Sequence, residues 1–279
     1  MTIRNIIGFS LYHIVRPFVE LPDVLLLYFH NPAPEAFESI VKWAISEGYE
    51  FRDVDSLRRC LACEEMREGK MAVVTLDDAW QTNLDLLPLI EKYNVPVAIF
   101  APVEPLITGN YWWEYVGKKG GVSLQNVFKE YDEVTFNTEC AELRRTMTLD
   151  RSAMTVEQLK RVSEHPLVTI GCHSYTHPIL TKVSDANLER EIKGAKQRLE
   201  EITGREVTTF SYPNGSFTER EAKMVRETFR CAFTVVQDSP RKGGDVFAIP
   251  RFAMTNDFWS NLAKIVGAWR VMSPFIKSK

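Results

Sequence analysis

The chain has 279 residues, 45% hydrophobic and 25% charged, with no Pro/Gly/Ser-rich linker and no internal repeat, which points to one sizeable globular domain rather than tandem units. A net charge of −3 and a pI of about 6.0 leave no basic surplus for a phosphate backbone, and so exclude nucleic acid as the main partner. The five cysteines, at 60, 63, 140, 172 and 231, are odd in number and unevenly spaced, which argues against a disulfide framework and for a reducing compartment.

Residues Met1 to Tyr12 hold one arginine and a short apolar stretch without a convincing small-residue cleavage site, so a cytoplasmic location is expected. No run approaches the roughly 20 apolar residues that a membrane helix needs. Val24–Phe29 is the first continuous apolar run bounded by polar residues, the pattern of a fully buried parallel strand. Phe37, Ile40, Val41, Ala44 and Ile45 then follow a helical period that ends near Gly48. Cys60-Leu61-Ala62-Cys63 has no second such pair and is read as two ordinary thiols. Met71–Leu76 and Val97–Phe100 predict two further strands.

The rhythm breaks over about 109–154, which carries Tyr111-Trp112-Trp113-Glu114-Tyr115 and a Gly120-Gly121 pair and is expected to be an insertion or lid on the strand ends. Its aromatic cluster suits either local packing or a platform for a sugar face. Strands resume at Val168–Gly171, Thr208–Ser211 and Cys231–Val236, and Leu188, Ile192, Ala195, Leu199 and Ile202 predict a helix ending at Gly204. A stretch of about 257–272 mixes Trp259, Leu262, Ile265 and Trp269 with Lys264 and Arg270. It is expected to be a closing helix on the core, with peripheral contact to a bilayer as the alternative. Alternating strands and helices imply an α/β fold with mainly parallel strands, in which a site gathers at the carboxyl ends of the strands.

Those ends carry His30, Asp77-Asp78 and His173-Ser174-Tyr175-Thr176-His177. Two imidazoles and one carboxylate on neighbouring strand ends make a three-ligand set for a divalent metal, and the spare carboxylate can take a proton from an activated water. Adjacent acids alone usually mark a solvated turn, and a His-x-x-x-His pair alone is weak; both at strand ends point to a hydrolase. A non-haem Fe(II) oxygenase shares two His and one carboxylate but leaves the second Asp redundant.

Thr75-Leu76-Asp77-Asp78-Ala79-Trp80 resembles the first motif of the polysaccharide deacetylases (carbohydrate esterase family four), usually Thr-Phe-Asp-Asp-Gly. Gly171–Pro178 is similar to their second motif and Phe210-Ser211-Tyr212-Pro213-Asn214-Gly215 to their third. The resemblance runs from about Leu26 to Ala253. It implies a single-domain distorted (β/α) barrel that removes the N-acetyl group from an amino sugar, here a nucleotide- or lipid-linked precursor or an oligosaccharide. It further implies Asp78, His173 and His177 as metal ligands, Asp77 as base and the backbone N–H of Asn214 as an oxyanion donor. Zinc suits the ligand set, and Fe(II), Co(II) or Ni(II) also fit. Ala79 stands where the family usually has Gly. Ser211 stands where many members have the Arg that orients the base, and Arg251 is the candidate substitute. That missing motif Arg is the sole support for a non-catalytic carbohydrate-binding or scaffold protein. No histidine follows His177, so His30, similar to the first-strand histidine of circularly permuted members, is the candidate general acid.

Overall fold

The computed structural model describes residues 2–64, 69–120 and 131–268. Among them the sheet runs in the order β7-β6-β5-β4-β3-β1-β8, with β2 also paired to β3. The strands are β1 (Val24–Phe29), β2 (Tyr49–Phe51), β3 (Lys70–Asp77), β4 (Val97–Ala101), β5 (Val168–Cys172), β6 (Thr209–Ser211), β7 (Cys231–Phe233) and β8 (Phe252–Ala253). Their ladders are parallel, and β1 against β3 is the longest register, from Val24 opposite Met71 to Phe29 opposite Leu76. Ile249 accepts from Thr234 and bridges Phe233 just before β8 joins β1, so the curled sheet closes irregularly into a distorted (β/α) barrel.

Every residue of β1 is buried because both of its faces are covered. Leu25, Leu27 and Phe29 meet the surrounding helices through Phe37, Ile40, Val41 and Ala44. Val24 and Leu26 point the other way, into an interior filled by Met71, Val73, Ala98, Phe100, Phe233 and Ile249. Helix Val54–Leu61 adds Val54, Leu57, Cys60 and Leu61 to that interior cluster, beside the strands' amino ends. Burying each such Leu or Phe contributes roughly 1.5–3 kcal/mol. The interior is thus packed from one end, and side-chain alternation sends Tyr28, Thr75, Asp77 and His173 into it toward the other. Gly171 faces the same way, where a Cβ would lie 2.4 Å from the Phe100 ring, so only glycine lets β4 and β5 pack here.

The strands differ from expectation in length and number. The Cys231–Val236 run ends as a strand at Phe233, after which Thr234 N donates to Ile249 O and Val236 O accepts from Arg251 N, and β2 and β8 are too short to stand out in an apolar pattern. The helix expected over Leu188–Ile202 is interrupted by one π-turn, Arg190–Gly194, between Asp185–Glu189 and Ala195–Thr203, and ends at Gly204 with φ 65°. The apolar stretch before Tyr12 belongs to helix Ile3–Val15, which packs along helix Phe258–Ile265. Within the expected closing segment, Ser260, Asn261, Leu262, Ala263 and Ile265 are buried, and residues 269–272 lie outside the described residues. Among the described residues no helix is long and apolar enough to cross a membrane.

Candidate active site

Asp77 is the last residue of β3 and points into the barrel, while Asp78 follows with φ 77°, which turns its carboxylate toward the mouth. His173 follows β5, its N–H held by Ala101 O at 3.1 Å. β4 lies between β3 and β5, so the two motifs sit on strands one apart rather than on neighbours, and curvature of the sheet brings them together.

Asp78 Oδ1 lies 3.5 Å from His173 Nε2 and 3.4 Å from His177 Nε2. All three residues are buried, and their potential ligand atoms lie within 4.8 Å of one another. His173 Nδ1 donates to Ser211 O at 2.7 Å, which fixes its tautomer and leaves Nε2 bare. Burial pushes both imidazoles down to about 4, so each is neutral at pH 7. Asp78 Oδ1, facing the bare Nε2 of His173 and the Nε2 of His177, is buried without a hydrogen-bond partner, as is His177 Nδ1. Such an atom fits a cation: two neutral nitrogens and one carboxylate oxygen converge where a divalent metal can be held with a position left open.

The loop that carries both histidines is tied from behind. Glu191, in the π-turn, accepts from the N–H groups of Tyr175 and Thr176 at 3.0 and 2.8 Å and from the Thr176 hydroxyl at 2.9 Å. Sequence reasoning missed Glu191, although a carboxylate on the apolar Leu188-Ile192-Ala195 stripe is the signal that marks it, and π-turns favour functional sites. Ser174 Oγ accepts from His177 N at 3.0 Å. Among the described residues, five of the seven non-glycine residues with positive φ are Asp78, Ala79, Ser174, His177 and Asn214, a concentration of backbone strain on the site itself. Ala79, at φ 57°, occupies a conformation in which the family's usual glycine is unstrained.

Residues of the 109–154 segment complete this frame. Tyr111 Oη donates to Asp78 O at 2.9 Å and Trp112 Nε1 to His177 O at 2.9 Å, while Trp80 Nε1 reaches Asp78 Oδ2 at 3.1 Å. Tyr111 and Trp112 are therefore buried supports of the two left-handed residues. Trp113 and Trp80 are half-buried and line a cavity of about 280 Å³ with His30, Asp77, Asp78, His173, His177, Tyr212 and Asn214. A second cavity of similar volume shares Trp112, but its carboxylates are already bonded: Glu104 to Arg144, Asp132 to Thr135 N, Glu133 to Ser184 N and Glu191 to the histidine loop.

Arg251 lies wholly buried inside the barrel. Its Nη1 and Nη2 donate to the two oxygens of Asp77 at 2.8 Å each, and further bonds reach Thr75 Oγ1, Ser211 Oγ and Thr234 O. The guanidinium also stacks 4.3 Å over the Tyr28 ring. Burial disfavours charge on Asp77, but Arg251 and then His173 outweigh it and hold the carboxyl down to about 2. The cationic partner absent at Ser211 thus arrives from residue 251, and Ser211 keeps a hydroxyl in the same network. His30 and Asn214 are exposed at the cavity mouth, with His30 O receiving Asn83 Nδ2 at 2.9 Å and Asn214 at φ 56°. All five cysteines are free thiols, and Cys63 is the exposed one.

No curated protein matches this chain in sequence. Among solved structures it resembles the deacetylase PplD of Streptococcus pyogenes in complex with acetate, with TM-score 0.63, 16% identity, and 87% of this chain and 97% of that one covered. It also resembles IcaB of Ammonifex degensii, with TM-score 0.63, 18% identity, and 87% and 96% covered. The de-N-acetylase of Aggregatibacter actinomycetemcomitans is similar at TM-score 0.61 and 13% identity, with 86% and 99% covered. These likenesses concern the fold. The family model for polysaccharide deacetylase matches residues 64–228, more than half of the chain and across all three motifs, so the chain belongs to the polysaccharide deacetylase family.

Proposed function

We propose that the protein is a metal-dependent hydrolase that removes the N-acetyl group from an amino sugar. The observation that carries this reading is Asp78 Oδ1, buried without a hydrogen-bond partner between the Nε2 atoms of two neutral histidines and directly beside a second carboxylate clamped by Arg251. Asp78, His173 and His177 would hold the ion, zinc by preference, with Fe(II), Co(II) and Ni(II) compatible with the same donors. When bound, the ion would supply Lewis acidity toward the acetamide carbonyl and make water more acidic.

The chain's own groups divide the remaining work. Asp77 accepts a proton from the attacking water, and the Arg251 fork keeps it ionised and aimed. A carboxylate held near 2 is a weak base, so it relies on that water being acidified. The backbone N–H of Asn214 donates to the carbonyl oxygen as negative charge develops there. His30, exposed at the mouth, delivers a proton to the departing amine. Trp80 and Trp113 give the sugar ring apolar faces, which supports a glycan substrate over a small amide. We further propose a nucleotide- or lipid-linked precursor or an oligosaccharide as the carrier of that sugar. Five free thiols support action in a reducing compartment such as the cytoplasm.

The test is acetate release from a panel of N-acetylated nucleotide sugars, lipid-linked sugars and oligosaccharides, with metal content measured on the same sample. Acetate from at least one class, abolished by chelation and restored by the ion, is the expected result. No release from any of them by fully metallated protein would overturn the reading.

A further inference from the structure

Among the described residues, helix Ile3–Val15 and the turn after it have an apolar face that nothing covers. Ile3, Ile14 and Phe18 are 78%, 64% and 86% exposed, and Ile6 and Ile7 join them on the same side, while Gly8 and Tyr12 face inward. The inward side is tightly seated: a Cβ on Gly8 would lie 2.5 Å from Ser260 N, Asn5 Oδ1 receives Trp259 N at 2.8 Å, and Phe9 meets the Trp259 ring edge-on at 4.8 Å. The face is therefore fixed outward rather than left over by loose packing. Globular surfaces rarely leave such large apolar side chains side by side without an occupant.

Charge is segregated in the same place. Residues 3–19 contain Arg4, His13 and Arg16 and no Asp or Glu, and residues 258–279 contain Lys264, Arg270, Lys277 and Lys279 and again no acid, in a chain of net charge −3; the bordering acids are Glu20 and Asp257, the latter accepting from Thr2 Oγ1 at 2.8 Å. The two helices from these stretches pack on each other. Arg16 is bonded to Glu47 and Lys264 to Ala253 O, which leaves Arg4 on the helix and Arg270, Lys277 and Lys279 in the sequence that follows.

We infer that helix Ile3–Val15 with Phe18 is an in-plane docking surface for an anionic lipid bilayer. An amphipathic helix bearing large apolar side chains and basic residues without acids lies in the headgroup region, the apolar side chains entering the acyl boundary and the cations meeting lipid phosphates. A second copy of the chain is the competing occupant of an apolar face of this kind, and the test below separates the two. The surface stands independently of the catalytic reading.

The experiment is flotation of the full chain with vesicles of phosphatidylcholine alone and of phosphatidylcholine with phosphatidylglycerol, at low and high salt. Binding to the anionic vesicles, weakened by salt, is expected. Ile14→Glu with Phe18→Glu should reduce the bound fraction ~10-fold or more while thermal unfolding stays unchanged, since both side chains are already in water. Arg4→Glu should weaken binding to the anionic vesicles alone. Equal binding by wild type and the double variant, or no vesicle binding by wild type, would overturn the inference. So would a dimer that the double variant disperses.

Discussion

Arg251 offers the sharpest test of how the barrel interior holds its carboxylate. Replacing it with Met keeps the volume of the stem but removes both bonds to Asp77, leaving a carboxylate that is 2% exposed with Ser211 Oγ at 3.4 Å as its remaining side-chain partner. Breaking one partner of a buried pair costs about 3–5 kcal/mol, because the other charge stays desolvated and unpaired. Arg251→Lys should recover only part of that loss, since an ammonium cannot reproduce the two-pronged contact or the stack on Tyr28. Adding Asp77→Asn to Arg251→Met removes the orphaned charge, so the double variant should be more stable than Arg251→Met alone, with a coupling energy of about 1–3 kcal/mol. Denaturant unfolding of wild type, Arg251→Met, Asp77→Asn and the double variant, in chelator so that metal binding does not enter, closes the cycle. A loss below about 1 kcal/mol for Arg251→Met, or strictly additive single losses, would refute the claim that Asp77 is held against burial by this one guanidinium.

Asp77→Asn should retain the metal yet lose turnover by roughly 10²-fold or more, as an amide accepts no proton, which steady-state kinetics with metal analysis would read out. Tyr111→Phe and Trp112→Phe each remove a donor from a buried ligand carbonyl, and each should weaken metal affinity about 10–100-fold by competition titration, with the fold intact by circular dichroism. In the metal-free protein the folded-state values of His173 and His177, about 4, lie below the unfolded value near 6.5. The unfolded chain then binds more protons between those limits, so stability is full above about 6.5 and is lost as pH falls toward 4, by an amount on the order of a few kcal/mol. A variant with Gln at both positions should lose that slope, and identical pH profiles for the two proteins would contradict the assignment of buried neutral imidazoles.

The parts of this architecture that repeat locally were legible in the sequence. Val24–Phe29, Lys70–Asp77 and Val168–Cys172 announce themselves as apolar runs because both of their faces are buried, and the chemistry-bearing motifs follow directly on two of them. Spatial order was not legible: nothing in the residues says that β4 separates β3 from β5. Arg251 can be nominated from Ile-Pro-Arg-Phe, but its reach to Thr75, Asp77 and Ser211 depends on closure of the sheet 174 residues away from Asp77 in the chain. Glu191 stands out as a carboxylate on an apolar helical stripe, but its partners in the histidine loop depend on a π-turn, which helical periodicity does not signal. Tyr111 and Trp112 read as packing or sugar-binding aromatics. Their role as donors to Asp78 and His177 emerges only once the backbone at those residues is known to be left-handed.

The central claim is that Asp78, His173 and His177 form one metal site, and metal stoichiometry tests it most directly. Stripped protein titrated with Zn(II) and then freed of excess metal should retain about one ion per chain, as expected of a single three-ligand site, and His173→Ala, folded by circular dichroism, should retain none. Full occupancy in His173→Ala, or no stoichiometric binding by the wild type to any of the four candidate ions, would contradict the account.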